Sequence, residues 1–385
     1  MYRINNIRLP SPSSIKERAL WSILVDQESI VHSIDLMPLT SSRESCISWD
    51  GDWLSPMAID LQINGGLGIE FNQLSGKKVS TLFNLLDKLW LEGVDAICPT
   101  LVTSEISQIR NSLEVLHQAR KSHSSQACKI LGAHLEGPFL SKEYFGAHNS
   151  NYLLSPTLEN LEKIIEGYEE DIALVTLAPE LPRADEVIKE LRRLGIIVSL
   201  GHSAANSDIS SRAFQQGVSM ITHAFNAMPG IHHRFPGPLV EAMINGEIAI
   251  GLIADGIHVD PKVIQIIQKL VPDKIFLVSD ALSPYGLSGE KFFWGEKPLN
   301  VNDNVCKLED GTLAGTTLPL LEACIRMAKW TKQFSTSIWA TTVSGRVALG
   351  RGKTIQDFIV GKSLNQLLRW HLDSASEQLT WNHAK

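Results

Sequence analysis

The sequence predicts an α/β fold: a (β/α)8 TIM-type barrel with a small β-sandwich domain built from both chain ends. Three observations carry this. Eight apolar, strand-like runs alternate with eight helical patterns over about 270 residues. The runs are almost continuously apolar, as strands buried on both faces are. No G-x-G-x-x-G follows an early strand, which weakens the open doubly wound alternative.

The strand-like runs lie at 57–63 (MAIDLQI), 94–100, 129–136, 172–179, 196–202, 218–224, 248–255 and 274–280. Between them come stretches with 3.6-residue periodicity, such as KKVSTLFNLLDKLWLEG and ADEVIKELRRLG. Gly93, Gly195, Gly217 and Gly246 stand where left-handed helix ends are expected. The eighth helical pattern, LPLLEACIRMAKW, follows a longer insertion. Residues 1–55 and about 345–385 lie outside the repeat and read as short strands and turns, so they are assigned to the small domain. Residues 56–344 are assigned to the barrel, with a β insertion near 285–312 that could also join the sandwich.

Bulk properties narrow the function. The net charge of −7 leaves no electrostatic footprint for nucleic acid. No apolar stretch reaches the roughly 18 residues that span a bilayer, so no membrane partner is expected. The first residues contain no apolar core of a secretory signal. Cys46, Cys98, Cys128, Cys306 and Cys324 are scattered without a C-x-x-C pair, as reduced thiols of a cytoplasmic protein would be.

Barrel enzymes work at the C-terminal ends of their strands. That filter selects Gln62 and Asn64, Thr100, Glu136, Glu180, His202, His223, Asp255 with His258, and Asp280. One Glu and two His from three strands make an open metal site, with a position free for water or substrate. Asp280, ending the last strand, could handle the proton of an attacking water. Singly, each residue has a plainer explanation: a hydrogen-bonded core histidine, a turn cap, an Asx-turn. Their joint position in one barrel is what points to chemistry. His134 shares a face with Glu136 but lies deeper, and a structural role is expected for it.

The motifs HLEGPF (134–139), GAH (146–148), LGHS (200–203), THAFNAMPG (222–230), RFPG (234–237), IADGIHVDP (253–261), LVSDA (277–281) and GTLAGT (311–316) occur in that order. Together they closely resemble the N-acetylglucosamine-6-phosphate deacetylases, a family of the amidohydrolase superfamily, from about Trp53 to Gly350. The resemblance implies hydrolysis of the acetamide of a 2-acetamido sugar phosphate. It implies Glu136, His202 and His223 as ligands of one divalent metal, with zinc first and iron, cobalt or manganese as alternatives. Asp280 is implied as general base and then general acid. His148, with backbone from Ala147, is implied to hold the substrate, and His258 with the segment from Asp255 to line the pocket. Asn226, Ala227 and Arg234 are implied as the phosphate site, with Arg234 acting across a homodimer interface. Leu313, Ala314 and Gly315 are implied to close over the pocket. No role is assigned to His232 or His233.

The chain departs from the family in three places. PMAID replaces the usual Pro-Gly-Phe-Ile-Asp before the barrel, and both the first 50 residues and the tail match only loosely. Many amidohydrolases carry His-x-His on the first strand, where this chain has Gln62 and Asn64. Carboxamides are weak metal donors, so a single metal is expected, with Gln62 near it and within reach of its water. Two other readings are a hydrolase of a different N-acyl or cyclic amide, and a non-catalytic barrel scaffold.

Overall fold

The computed structural model describes residues 1–12, 19–37, 47–122, 124, 127–289, 291–295 and 297–385. Cys46 and part of the N-terminal segment fall outside them.

The expected barrel is present. Its strands are β1 (Ala58–Ile63), β2 (Val94–Val102), β3 (Ala133–Glu136), β4 (Ile172–Leu177), β5 (Ile197–Leu200), β6 (Met220–Ile221), β7 (Ala249–Leu252) and β8 (Ile275–Leu277). Each pairs in parallel with the next, from β1 to β8. The remaining seam is tied by Asp280 N donating to Gln62 O (2.9 Å) and Asn64 N donating to Ala281 O (2.7 Å). The Asp60 carboxylate adds to it, accepting from the backbone N–H groups of Gln62 and Ser279, each at 3.2 Å. These bonds bring the ends of β1 and β8, and so Asn64 and Asp280, side by side.

The helices after the strands are α1 (Val79–Leu91), α2 (Ile106–Lys121), α3 (Leu158–Ile165), α4 (Ala184–Arg193), α5 (Ser207–Gln216), α6 (Pro238–Asn245), α7 (Pro261–Leu270) and α8 (Leu320–Thr331). Local chemistry sets their limits. Asn206 and Asp260 cap α5 and α7 by accepting from Ile209 N and Lys262 N. Gly217 and Gly246 end α5 and α6 at φ +103° and +72°. The outward face of the strands packs on the helices, for example Ile97, Leu135 and Val175 against Leu86, Leu113 and Leu191. A separate inner cluster, including Ile59, Leu61, Leu174, Met220 and Phe276, fills the barrel. It is the floor on which the site rests.

Two details depart from the sequence reading. Plain alternation in β1 is interrupted, because its pairing with β2 shifts register between Asp60 and Ile63. Two helices follow α8 unannounced: α9 (Phe334–Thr342) and α10 (Ser344–Ala348). The stretch FSTSIWATT carries weak helix formers, but Ser337, Thr341 and Thr342 are buried and donate their hydroxyls four residues back. Packing overrides propensity there.

The chain ends form two small antiparallel-rich sheets. One holds Tyr2–Ile7, Trp21–Val25, Val31–Leu36 and Ile47–Ser48, and the other holds Trp53–Pro56, Leu367–Asp373 and Gln378–His383. They share a core that includes Ile7, Val25, Leu54, Phe358 and Leu367. The insertion makes its own antiparallel sheet from Phe292–Trp294, Lys297–Asn302, Val305–Leu308 and Leu313–Thr316. It does not join the sheets of the chain ends; it packs through Leu282, Leu299 and Ala314 at the barrel mouth. No helix among the described residues is long and apolar enough to cross a membrane.

The divergent tail is firmly built in. Trp370 is fully buried, and its indole N–H donates to Ser55 Oγ at 2.9 Å. Trp370→Ala should cost about 3–5 kcal/mol in urea unfolding. A loss below about 1 kcal/mol would mean that the hairpin adds nothing to the barrel's stability.

Candidate active site

A cavity of about 530 Å³ opens at the C-terminal ends of the strands. Glu136, His148, His202, His223, His258 and Asp280 all line it, as do Ala147, Asn226, Ala227, Leu313 and Ala314. Glu136 ends β3, and His202 and His223 follow β5 and β6. The backbone is left-handed at His202 (φ +48°), His223 (+26°) and Asp280 (+48°). Such conformations cost on the order of 1–3 kcal/mol each and persist only where the surroundings impose them. Here they turn three side chains off the strand ends into one cavity.

The centre is a knot of buried ligand atoms. Glu136 Oε1 is 3.2 Å from His202 Nε2 and 3.0 Å from His223 Nε2, and the two Nε2 atoms are 2.9 Å apart. His202 Nδ1 donates to the Tyr144 carbonyl (2.9 Å), so in the neutral ring Nε2 carries a lone pair. A single proton on His223 Nε2 cannot satisfy both of the atoms it faces. A divalent cation suits this donor set, and the buried His223 Nδ1 finds no hydrogen-bond partner among the described residues.

His148 also approaches, with Nε2 at 3.8 Å from Glu136 Oε2. Single ligand atoms of Glu136, His148 and His202 lie within 4.8 Å of one another, so a second set of three is available. Tautomers separate the two sets. His148 Nδ1 accepts from Thr103 N at 3.3 Å, and burial, then the charge of His202, pushes its pKa down to about 3. The neutral ring therefore carries its proton on Nε2, which aims a donor at the cavity instead of a lone pair.

The carboxyls divide by environment. Burial would raise Glu136, but the close imidazoles of His202 and His223 outweigh it and hold the group well below the usual range. Burial, and then the charge of Glu136, raises Asp280. Asp255 touches His258, not the cavity: its Oδ2 accepts from His258 Nδ1 at 2.6 Å, which leaves Nε2 as the polar atom of that ring. Burial opposes the Asp255 charge, yet the hydrogen bond from His258 and two backbone N–H groups hold its pKa down.

Other expected residues stand further out. Gln62 stands against the cluster, and its Nε2 donates to Glu136 Oε1 at 2.9 Å. Asn64 Nδ2 donates to Asp280 Oδ1 at 2.7 Å, a contact the sequence reading missed. Asn226 spends its amide on the carbonyls of His223 and Ala224, each at 3.2 Å, so it holds the turn together. Arg234 lies in the exposed loop 231–235 and does not line the cavity. His134 sits below the site, bonded to Thr100 and Thr176. Tyr144 and Trp294 line the cavity without having been singled out, and Phe225, expected only to pack, lines it too. Isolated aromatic residues in a loop or at the end of a short strand carry no periodic signal, and only their place in the fold reveals them.

No family model matches the chain. The human N-acetylglucosamine-6-phosphate deacetylase is 36% identical over 343 residues, covering 84% of this chain and 80% of that protein. The bovine enzyme of the same name is 37% identical over 288 residues, with 71% and 68% covered. The chain belongs to the N-acetylglucosamine-6-phosphate deacetylase family. A solved deacetylase of that name from Pasteurella multocida superimposes with a TM-score of 0.81 at 26% identity, covering 99% of both chains. The one from Thermotoga maritima gives 0.79 at 25%, covering 99% of this chain and 98% of its own. The fold is thus that of the amidohydrolase superfamily across the whole chain, including the loosely matching ends.

Gly315 backs Asp280 rather than the cavity. Its φ is +148°, and an added Cβ would sit 2.5 Å from the Asp280 carbonyl oxygen. Gly315→Ala should therefore cost about 1–3 kcal/mol of stability by urea unfolding. Gly311→Ala, at φ +86° with nothing within 4 Å, isolates backbone strain from the clash. Equal losses in both variants would contradict the contact with Asp280.

Proposed function

We propose that the chain hydrolyses N-acetylglucosamine 6-phosphate to glucosamine 6-phosphate and acetate, with one divalent cation held by Glu136, His202 and His223. The observation that carries this is the set of three ligand atoms within 3.2 Å of one another, in a cavity that Asp280 shares. Bound there, the cation polarises the acyl carbonyl and acidifies water; zinc is the first choice, while iron(II), cobalt(II) and manganese(II) suit the same donors.

The chain's own groups do the rest. Asn64 occupies Asp280 Oδ1, which leaves Oδ2 to take the proton of the attacking water. Asp280 then returns that proton to the nitrogen as the tetrahedral intermediate collapses, so the amine leaves neutral. Its raised pKa helps a carboxylate act as a base and then as an acid. The His148 Nε2–H, beside Ala147, and His258 Nε2 hold the sugar and acyl oxygens. Leu313 and Ala314 cover them, and Gly315 keeps the strand close to Asp280.

The phosphate needs a cation, yet no lysine or arginine lines the cavity among the described residues. Arg234 is exposed, between Ile231 (53% exposed) and Phe235 (74%). Such an apolar flank suits a homodimer in which Arg234 reaches the phosphate of the neighbouring subunit, beside the turn at Asn226 and Ala227. Four buried free thiols fit a reducing compartment, and a cytoplasmic place is part of this proposal.

Purified protein supplied with zinc should release acetate from N-acetylglucosamine 6-phosphate. No release, with metal confirmed on the protein, overturns the reading. Arg234→Ala should lower kcat/KM for this substrate by about 2 kcal/mol, roughly 30-fold, chiefly through KM. An unchanged value would favour an amide substrate without phosphate, or pass the phosphate to Lys297, whose Nζ reaches Ala147 O at 3.3 Å.

A further inference from the structure

We propose that Trp294 sets the length of the acyl group that the site admits; this rests on the deacetylase reading above. Trp294 ends the first strand of the insertion sheet and is partly buried. It lines the main cavity. It also lines a second, much smaller void of about 10 Å³, shared with Asn64, Val102, Leu282 and Ser283, which has room for roughly one water. Trp294 thus borders both spaces, and its indole is taken as the wall between them.

That wall is held in place. The next residue, Gly295, donates its N–H to Glu70 Oε1 at 2.9 Å, and Ser283 Oγ donates to Phe293 O at 3.4 Å. The hairpin tip is therefore tied to the segments that follow β1 and β8. A wall anchored on both sides can resist a ligand.

Geometry aims the acyl group at it. The turn proposed for the phosphate follows β6, and Val102 ends β2, four strands away in a ring of eight. The two lie on opposite sides of the mouth. In a 2-acylamino sugar 6-phosphate, the amide on C2 and the phosphate beyond C5 likewise leave opposite sides of the ring. With the phosphate beside β6, the acyl chain runs toward β1, β2 and Trp294. Asn64, which holds Asp280 Oδ1, lines the small void, so a carbonyl presented to Asp280 has its methyl group directed at that side. An acetyl methyl stops short of the indole, and each further methylene is driven into it. Replacing the indole with a smaller side chain joins the void to the cavity and removes the stop.

The test compares the N-acetyl and N-butyryl derivatives of glucosamine 6-phosphate on the zinc-loaded wild type, Trp294→Leu and Trp294→Ala. The ratio of kcat/KM, butyryl over acetyl, should rise at least about 10-fold in both variants, because one methylene in a hydrophobic slot discriminates by that order. A ratio within about twofold of the wild type in a folded variant overturns the proposal. Because a ratio does not depend on the active fraction, partial misfolding of either variant leaves the comparison intact. Acetate release by the wild type in the same assay separates this outcome from failure of the deacetylase reading: without it the deacetylase reading falls, whereas with it and an unchanged ratio only the role of Trp294 falls.

Discussion

One carboxylate oxygen, Glu136 Oε1, organises the site. It faces the Nε2 atoms of His202 and His223 within 3.2 Å and accepts from Gln62 Nε2 at 2.9 Å, all in a buried setting. Burial alone would neutralise such a carboxyl; the imidazoles keep it charged. The same closeness brings more lone pairs together than protons can satisfy, a donor set that suits a cation. Gln62 matters because it contributes a donor. An imidazole in its place could turn a lone pair toward the cluster, whereas a carboxamide N–H steadies the Glu136 carboxylate.

The barrel is what permits this arrangement. Residues from β3, β5 and β6 meet because parallel strands end at one rim, and the left-handed backbone at His202, His223 and Asp280 bends their side chains inward. The β1–β8 seam then couples the cluster to Asp280. Asp280 N is held by Gln62 O, and its carboxylate by Asn64, so the two carboxamides at the end of β1 hold Glu136 and Asp280 respectively. The insertion sheet completes the enclosure by bringing Trp294, Leu313 and Ala314 over the mouth.

Much of this was legible beforehand, and the gaps have physical causes. The eight strands could be read from apolar runs, and the polar groups at their ends stood out against them. The hydrogen-bond partners could not be read so. Asn64 and Asp280 are 216 residues apart, and only ring closure makes them neighbours. The role of Asp255 appeared as pocket lining because sequence shows proximity to His258 but not direction. The α9 helix was hidden by Ser and Thr, whose low propensity says nothing about burial. Arg234 is the clearest case of the reverse: its motif suggested a phosphate contact, but the folded chain leaves it outside the cavity.

The central claim is that Glu136, His202 and His223 form the single metal site of the chain. Equilibrium dialysis against zinc, with metal counted per chain on the wild type and on Glu136→Gln, tests it most directly. One ion per wild-type chain is expected, with at least about a 100-fold weaker affinity for the variant, beyond the roughly 10–100-fold cost of losing a group that only orients a ligand. Two tightly held ions per chain, or undiminished binding by Glu136→Gln, would contradict it.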